Sequence, residues 1–329
     1  MSGSIWGDFT AWARVSEAGG NEYDMICSGV DLTTFVSYSI RYSGLYPAPY
    51  GPSSSSTHTD SPETTSTCIS SLRQFHLDRL LTYARDETTW RSIDWVCFET
   101  IPLVREGLAI RSAIKGLWRE LSERYGAAEG QGDGCWWMKP FWMAFVFPKG
   151  VFPDGSDVRQ VVRTSVLRDP YASESSRAGL DGVEEDEKDL PIPNAIGINC
   201  TSPAHIYQLG SEFTRYLGEI MDQDNDDSSQ PPISLGFVLY PDGGLVYDTT
   251  TRSWSAPSTT DIVAGSSGNG NWAENVAKVA RRIGETTRST STGDVERVWK
   301  GGVLVGGCCK NGFEEIRGLA RALTVVKGE

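Results

Sequence analysis

Short apolar runs rich in β-branched and aromatic residues alternate along the chain with longer stretches whose apolar positions recur at helical spacing. SSLRQFHLDRLLTYARD (70–86) predicts a helix ahead of the strand-like run IDWVCFETIP (93–102). VREGLAIRSAIKGLWRELSERYG (104–126) predicts a long amphipathic helix, and PFWMAFVFP (140–148) the next strand. After a polar stretch come strand NAIGINC (194–200), helix PAHIYQLGSEFTRYLGEIM (203–221) and strand ISLGFVLYPDGG (233–244). Helix NWAENVAKVARRIGE (271–285), strand GGVLVGGCC (301–309) and helix GFEEIRGLARALTVV (312–326) complete the alternation. Strands that are apolar without interruption need cover on both faces, the condition of parallel strands joined by crossover helices. Chemically loaded residues stand at the C-terminal ends of several runs, which favours an α/β fold of the (β/α)8 TIM-barrel type over a doubly wound sheet.

The polar segments change this picture little. GPSSSSTHTDSPETTSTC (51–68) is rich in Ser, Thr and Pro, and ASESSRAGLDGVEEDEKDLP (172–191) is acidic; both read as solvated insertions, near 52–68 and 172–191, rather than as linkers. MDQDNDDSSQPP (221–232) lacks the glycine and terminal glutamate of a calcium loop and reads as surface. GNGNWA (268–273) imitates a dinucleotide fingerprint but reads as a loop with a helix cap.

A chain of 329 residues with 39% hydrophobic residues supports a large core, as one or two domains. Its formal net charge of -13 argues against nucleic-acid or anionic-membrane partners and leaves small molecules as the expected ligands. No spanning apolar run and no secretory pattern is present, so the expected location is cytoplasmic. The seven cysteines (27, 68, 97, 135, 200, 308, 309) accordingly read as reduced thiols rather than a disulfide framework.

Three of these cysteines end strands. Cys200 closes NAIGINC, and Cys308 and Cys309 follow GGVLVGG. In a barrel they converge at one rim, as small buried hydrophobes or as three soft ligands that select zinc and leave a fourth position open. Spacing alone leaves both readings standing. Cys97, flanked by Val96 and Phe98, reads as core, while Cys27, Cys68 and Cys135 fall in irregular segments.

FETIP (98–102), GINC (197–200) and GGCC (306–309), in that order and each after an apolar run, resemble the homocysteine S-methyltransferase family. RYSGLYP (41–47), FHLDRL (75–80) and YPDGGLVYD (240–248) add similarity to fungal members. The resemblance implies a homocysteine-binding (β/α) barrel domain over 41–329, one zinc ion on Cys200, Cys308 and Cys309, and Glu99 as the carboxylate for the ammonium of homocysteine. It further implies methyl transfer from S-methylmethionine or S-adenosylmethionine to homocysteine, forming methionine. Family members ordinarily begin with a strand carrying a D-G-G-L-G-T-x-L-E-like motif. Residues 1–40 here form a divergent segment in which SGVDLTTFVSYSI supplies at most one early strand, so the barrel is expected to be incomplete at its N-terminal strands. The alternative is a truncated or non-catalytic member that retains zinc or partner binding.

Other polar residues carry two readings each. Glu99 could instead be a charge at the start of the following helix. His76 lies within a predicted helix as a ligand or a packed side chain, and His205 falls in a first helical turn. Asn199 could tune the zinc shell or complete a turn. Asp242, in YPDGG, reads as a turn residue. The cluster WWMKPFWMAF (136–145) could offer a face to a sulfonium or serve as core.

Overall fold

A computed structural model of the protein describes residues 12–15, 29–31, 46–51, 62–126, 135–170, 189–224, 233–248, 251, 253–255, 272–290 and 293–324. In chain order the elements are β1 (Trp12–Val15), β2 (Gly29–Asp31), α1 (Pro62–Ala84), α2 (Glu87–Arg91), β3 (Trp95–Ile101) and α3 (Val104–Tyr125). Then come β4 (Phe141–Phe145), a 3-10 turn (Pro148–Gly150), α4 (Val158–Val166), β5 (Ala195–Asn199), α5 (Ile206–Asp224) and β6 (Gly236–Tyr240). The last are β7 (Val246–Asp248), β8 (Ser253–Ser255), α6 (Trp272–Gly284), β9 (Thr287–Ser289), β10 (Val295–Arg297), β11 (Val303–Gly306) and α7 (Phe313–Thr324). The fold is α/β, with parallel strands separated by helices. No helix among the described residues is long and apolar enough to cross a membrane.

The chain divides into two compact units. One comprises Cys27–Ala144 and Phe152–Asn194. There β2 pairs with β3 in parallel, Val30 opposite Val96, and β4 lies beside β3. α1 packs on α3, whose buried face runs through Leu108, Ala109, Ile114, Leu117 and Leu121. Arg111 on the same helix is fully buried, and its guanidinium donates to the carbonyls of Pro191, Thr164, Leu167 and Leu190. One charged fork thus satisfies four carbonyls at the end of α4 and in the segment that leads to β5.

Helix α1 begins at Pro62, inside the stretch expected to be a loop. Proline suits a first helical turn, where its missing N–H costs nothing. Cys68, Ile69 and Leu72 are buried on its inner face, and Cys68 donates to the Gly51 carbonyl at 3.4 Å. The expected insertion at 172–191 lies outside the described residues except at its end. Helix α4 is an element the sequence reading passed over, although Asp157 and Gln160 form a reciprocal capping box ahead of buried Val158, Val161, Val162 and Val166.

The other unit comprises Met1–Ile26, Phe145–Val151 and Ala195–Glu329. β5, β6 and β11 lie side by side in parallel, each beside its predecessor, an order compatible with a barrel. Phe213 of α5 sits between Phe147 and Phe237, and Phe237 in turn meets Trp299 at 4.8 Å between ring centroids. β1 pairs antiparallel with β11, Trp12 opposite Gly306, a pairing the sequence pattern did not foretell. β2 falls within SGVDLTTFVSYSI; apart from β1 and β2, the expected N-terminal departure, residues 1–40, lies outside the described residues.

Candidate metal and substrate site

The C-terminal ends of β5, β6 and β11 sit together within one unit, and the local sequence explains why. Gly197 in β5 admits no side chain, because a Cβ there would stand 1.9 Å from the Val238 carbonyl oxygen of β6. At the next turn Cys200 adopts a left-handed backbone with φ 46°, which ends the strand and turns the chain. Thr201 locks that turn: its hydroxyl donates to the Asn199 carbonyl at 2.9 Å and accepts the Phe147 amide at 3.0 Å.

Cys200, Cys308 and Cys309 come together there, with all three sulfurs within 4.8 Å of one another. Cys200 and Cys309 are buried and Cys308 is partly exposed, so the cluster opens on the Cys308 side. The Cys309 sulfur is 3.7 Å from that of Cys200 and 3.8 Å from that of Cys308. A tetrahedral zinc with Zn–S bonds of about 2.3 Å places its sulfurs about 3.8 Å apart, so these residues fit the group. The sulfurs of Cys200 and Cys308 themselves stand at bonding distance as a disulfide. That departs from the expectation of thiols reduced throughout; the two strand ends bring their Cα atoms to 5.5 Å. Metal binding requires the thiolate form. No bridge joins the neighbouring Cys308 and Cys309, as expected; Cys68, Cys97, Cys135 and Cys309 take part in no disulfide. Cys27 lies outside the described residues.

The turn after β6 is stitched between the two cysteine segments. Asp242 donates its backbone amide to Thr201, Cys308 donates its amide to Pro241 at 2.8 Å, and Gly243 donates its amide to Cys309 at 2.8 Å. The side chain of Asn311 adds a donation to the Pro241 carbonyl. Asp242 is a turn residue, as its sequence context indicated, with its carboxylate accepting the Gly244 amide at 2.8 Å. It is also only 4% exposed. Burial pushes its pKa up to about 7 against the opposing effect of that single amide. The sequence signal for this burial was the placement of YPDGG directly after a wholly apolar strand.

Glu99 lies in β3, half-buried, immediately before Thr100 with φ 57°. The first amide of the following helix, that of Val104, donates to Asp154 at 2.7 Å; sequence reasoning had offered Glu99 for a charge at that position and had not singled out Asp154. His76 is a packed side chain in α1: its Nε2 lies 3.1 Å from Glu106 Oε1, and Tyr46 donates to Glu106 Oε2 at 2.7 Å. All three are nearly inaccessible, so this network braces its unit. His205 immediately precedes α5, and burial lowers its pKa. Asn199 is fully buried at the end of β5. Within the aromatic cluster Trp137, Phe141, Trp142 and Phe145 are core, while Met138 is exposed.

Comparison with known proteins gives one family. The model of the homocysteine S-methyltransferase family matches residues 48–323. Homocysteine S-methyltransferase 4 of Zea mays is 26% identical over 137 residues, which is 40% of this chain and 27% of the maize protein. The metallated form of the Escherichia coli homocysteine methyltransferase MmuM aligns with a TM-score of 0.36 at 16% identity, covering 86% of this chain and 55% of that one. Its oxidised form aligns with a TM-score of 0.34 at 17% identity, with the same coverage. The chain therefore spans about a quarter of the maize relative and about half of the bacterial one.

Proposed function

The chain belongs to the homocysteine S-methyltransferase family, and on that footing we propose that it transfers a methyl group from a sulfonium donor, S-methylmethionine or S-adenosylmethionine, to homocysteine, giving methionine. The observation that carries this reading is the meeting of Cys200, Cys308 and Cys309 at the ends of parallel strands. Once reduced, these three thiolates are the ligands for one zinc ion, which when bound would hold the homocysteine thiol as a thiolate at neutral pH. A free thiol with a pKa near 8.5 is mostly protonated there and a poor nucleophile.

The chemistry asks little else of the protein. The thiol proton leaves to solvent, the new S–CH3 bond forms in line with the breaking C–S bond, and the electron pair of that bond stays on the donor sulfur. The donor departs as a neutral thioether, so no general acid is needed. The chain's own task is positioning, to which Glu99 contributes a carboxylate for the ammonium of homocysteine. The open side at Cys308 is where the acceptor would enter.

The test is an assay on reduced, zinc-loaded protein with each sulfonium donor in turn. Methionine formation dependent on homocysteine, donor and zinc supports the reading. Stoichiometric zinc without methionine from either donor would overturn it in favour of a binding role.

A further inference from the structure

Cys308 is the partly exposed member of the cysteine cluster, so burial holds it less than it holds Cys200 and Cys309. Its backbone is held instead by a closed ring of three hydrogen bonds. The Cys308 amide donates to the Pro241 carbonyl at 2.8 Å, and the Cys308 carbonyl accepts the Asn311 amide at 3.0 Å. The Asn311 side chain completes the ring, its Nδ2 donating to the same Pro241 carbonyl at 2.9 Å. Between the two residues Lys310 turns the chain through a left-handed φ of 66°. Gly307 leaves the room for the carboxamide, since a Cβ there would stand 2.9 Å from both Cβ and Nδ2 of Asn311. All of these residues belong to one compact unit.

Packing alone does not account for the carboxamide. Its Oδ1 is buried and meets no hydrogen-bond partner among the described residues, a cost that an apolar side chain of the same shape would not incur. Nor does Pro241 depend on the second donor, because the Cys308 amide already engages its carbonyl. What the donation adds is a fixed place for Cys308 against the turn after β6, and a metal ligand must be held to within about 0.5 Å of its working position. We infer that Asn311 is a positioning residue of the cysteine centre: through Pro241 it holds the Cys308 sulfur where it ligates zinc together with Cys200 and Cys309. The inference rests on the zinc reading of the cluster and adds to it a residue that acts through a backbone carbonyl.

Asn311→Leu keeps bulk over Gly307 while removing both the Nδ2 donor and the unpartnered oxygen. Zinc affinity of the reduced protein is measured by chelator competition, and stability of the reduced, metal-free protein by urea melts, on wild type and variant. The expected result is zinc binding weaker by about ten- to hundredfold, the range for partners of metal ligands, at a urea midpoint that is not lowered, because no buried group is stranded. Zinc binding within about twofold of wild type overturns the proposal. A midpoint that falls along with zinc affinity also overturns it, by making Asn311 a brace of the fold alone. Asn311→Ala, which adds no bulk, is the second variant and must lose zinc affinity in the same way; wild-type affinity there overturns the proposal equally. Amide hydrogen exchange in reduced, metal-free protein supplies a readout without zinc. In Asn311→Leu the Cys308 amide should exchange about tenfold faster or more, while the Gly243 amide, which donates to Cys309, keeps its wild-type rate. Unchanged protection at Cys308 overturns the holding role. Reduced wild type that takes up no zinc would refute the zinc reading and this proposal together, whereas equal zinc uptake by wild type and variants refutes the role of Asn311 alone. Methionine formation enters none of these comparisons, so wild type that binds zinc without turnover would refute the methyltransferase reading while affinity still decides the role of Asn311.

Discussion

The amide of Gly243 donates to the carbonyl of Cys309 at 2.8 Å, tying the turn after β6 to the cysteine pair after β11. The two segments approach so closely that a Cβ on Gly243 would lie 2.7 Å from the Lys310 carbonyl oxygen. Gly243→Ala should therefore displace the cysteine pair, costing roughly 1–3 kcal/mol and lowering zinc affinity. Gly218→Ala is the control. A methyl there meets nothing within 4 Å, and mid-helix it should add about 0.5–1 kcal/mol of stability. Urea melts and zinc titration of both variants check the pair; equal behaviour would contradict the close-packing argument.

Replacing Cys308 or Cys309 with serine should lower zinc content and abolish thiol methylation while leaving the fold largely intact, because neither side chain anchors a large apolar cluster. Cys135→Ser, at a cysteine outside the group of three clustered sulfurs, should keep full metal. Metal analysis of the three purified variants decides the matter, and normal zinc in both site variants would remove the cysteine pair from the centre.

For Glu99→Gln the expected outcome differs from that of the cysteine variants. Zinc should stay bound and homocysteine binding should weaken by roughly tenfold or more, the size of a hydrogen bond to a charged group. Unchanged affinity in a titration with homocysteine would return Glu99 to a purely structural part.

The raised pKa of Asp242 has a consequence for stability. The folded protein keeps this proton up to about pH 7, whereas an unfolded aspartate loses it near about 3.9. Between those values the unfolded state binds fewer protons, so this group lowers stability as pH rises, by about 1.4 kcal/mol per unit. Asp242→Asn removes the effect. In metal-free protein the variant should match wild type near about pH 4 and exceed it increasingly toward neutrality, as followed by denaturant melts across that range. A constant difference at all pH values would show that burial does not govern this carboxyl.

Arg111→Met should be among the most damaging core substitutions. It keeps most of the side-chain volume but strands the carbonyls of Pro191, Thr164, Leu167 and Leu190. A loss of about 3 kcal/mol or more is expected, read as a lower urea midpoint at unchanged slope. A loss under about 1 kcal/mol would mean that the fork does not hold these segments.

The sequence pattern located the strands of the core because WVCF, FWMAF, AIGI, GFVLY and GGVLVG are apolar without break, as doubly covered strands are. It also placed Cys200, Cys308 and Cys309 at the C-terminal ends of parallel strands, and the turns after the two strands that flank β6 bring them together. It missed α4, whose apolar positions are few and follow a proline- and glycine-rich stretch, although Asp157 and Gln160 signalled the start. Charged side chains used inside the molecule were the least legible. Arg111, Glu106 and Asp154 sit in ordinary polar company in the sequence, and only the carbonyls, tyrosine and amides they meet across 50 or more residues reveal their use. The disulfide-distance approach of Cys200 and Cys308 was likewise invisible, because it depends on the register of two strands joined through a third.

Cys200 and Cys308 are 108 positions apart, and this spacing imposes an order in time. During synthesis the first sulfur leaves the ribosome long before its partners exist, and the turn after β6 that must fit between them appears in the interval. The centre therefore cannot be assembled piecemeal as the chain emerges; it closes only after β11 has docked beside β6. On the proposed zinc site, metal uptake would accordingly be a late event of maturation, and a nascent chain stalled before that strand would present Cys200 without its two partners.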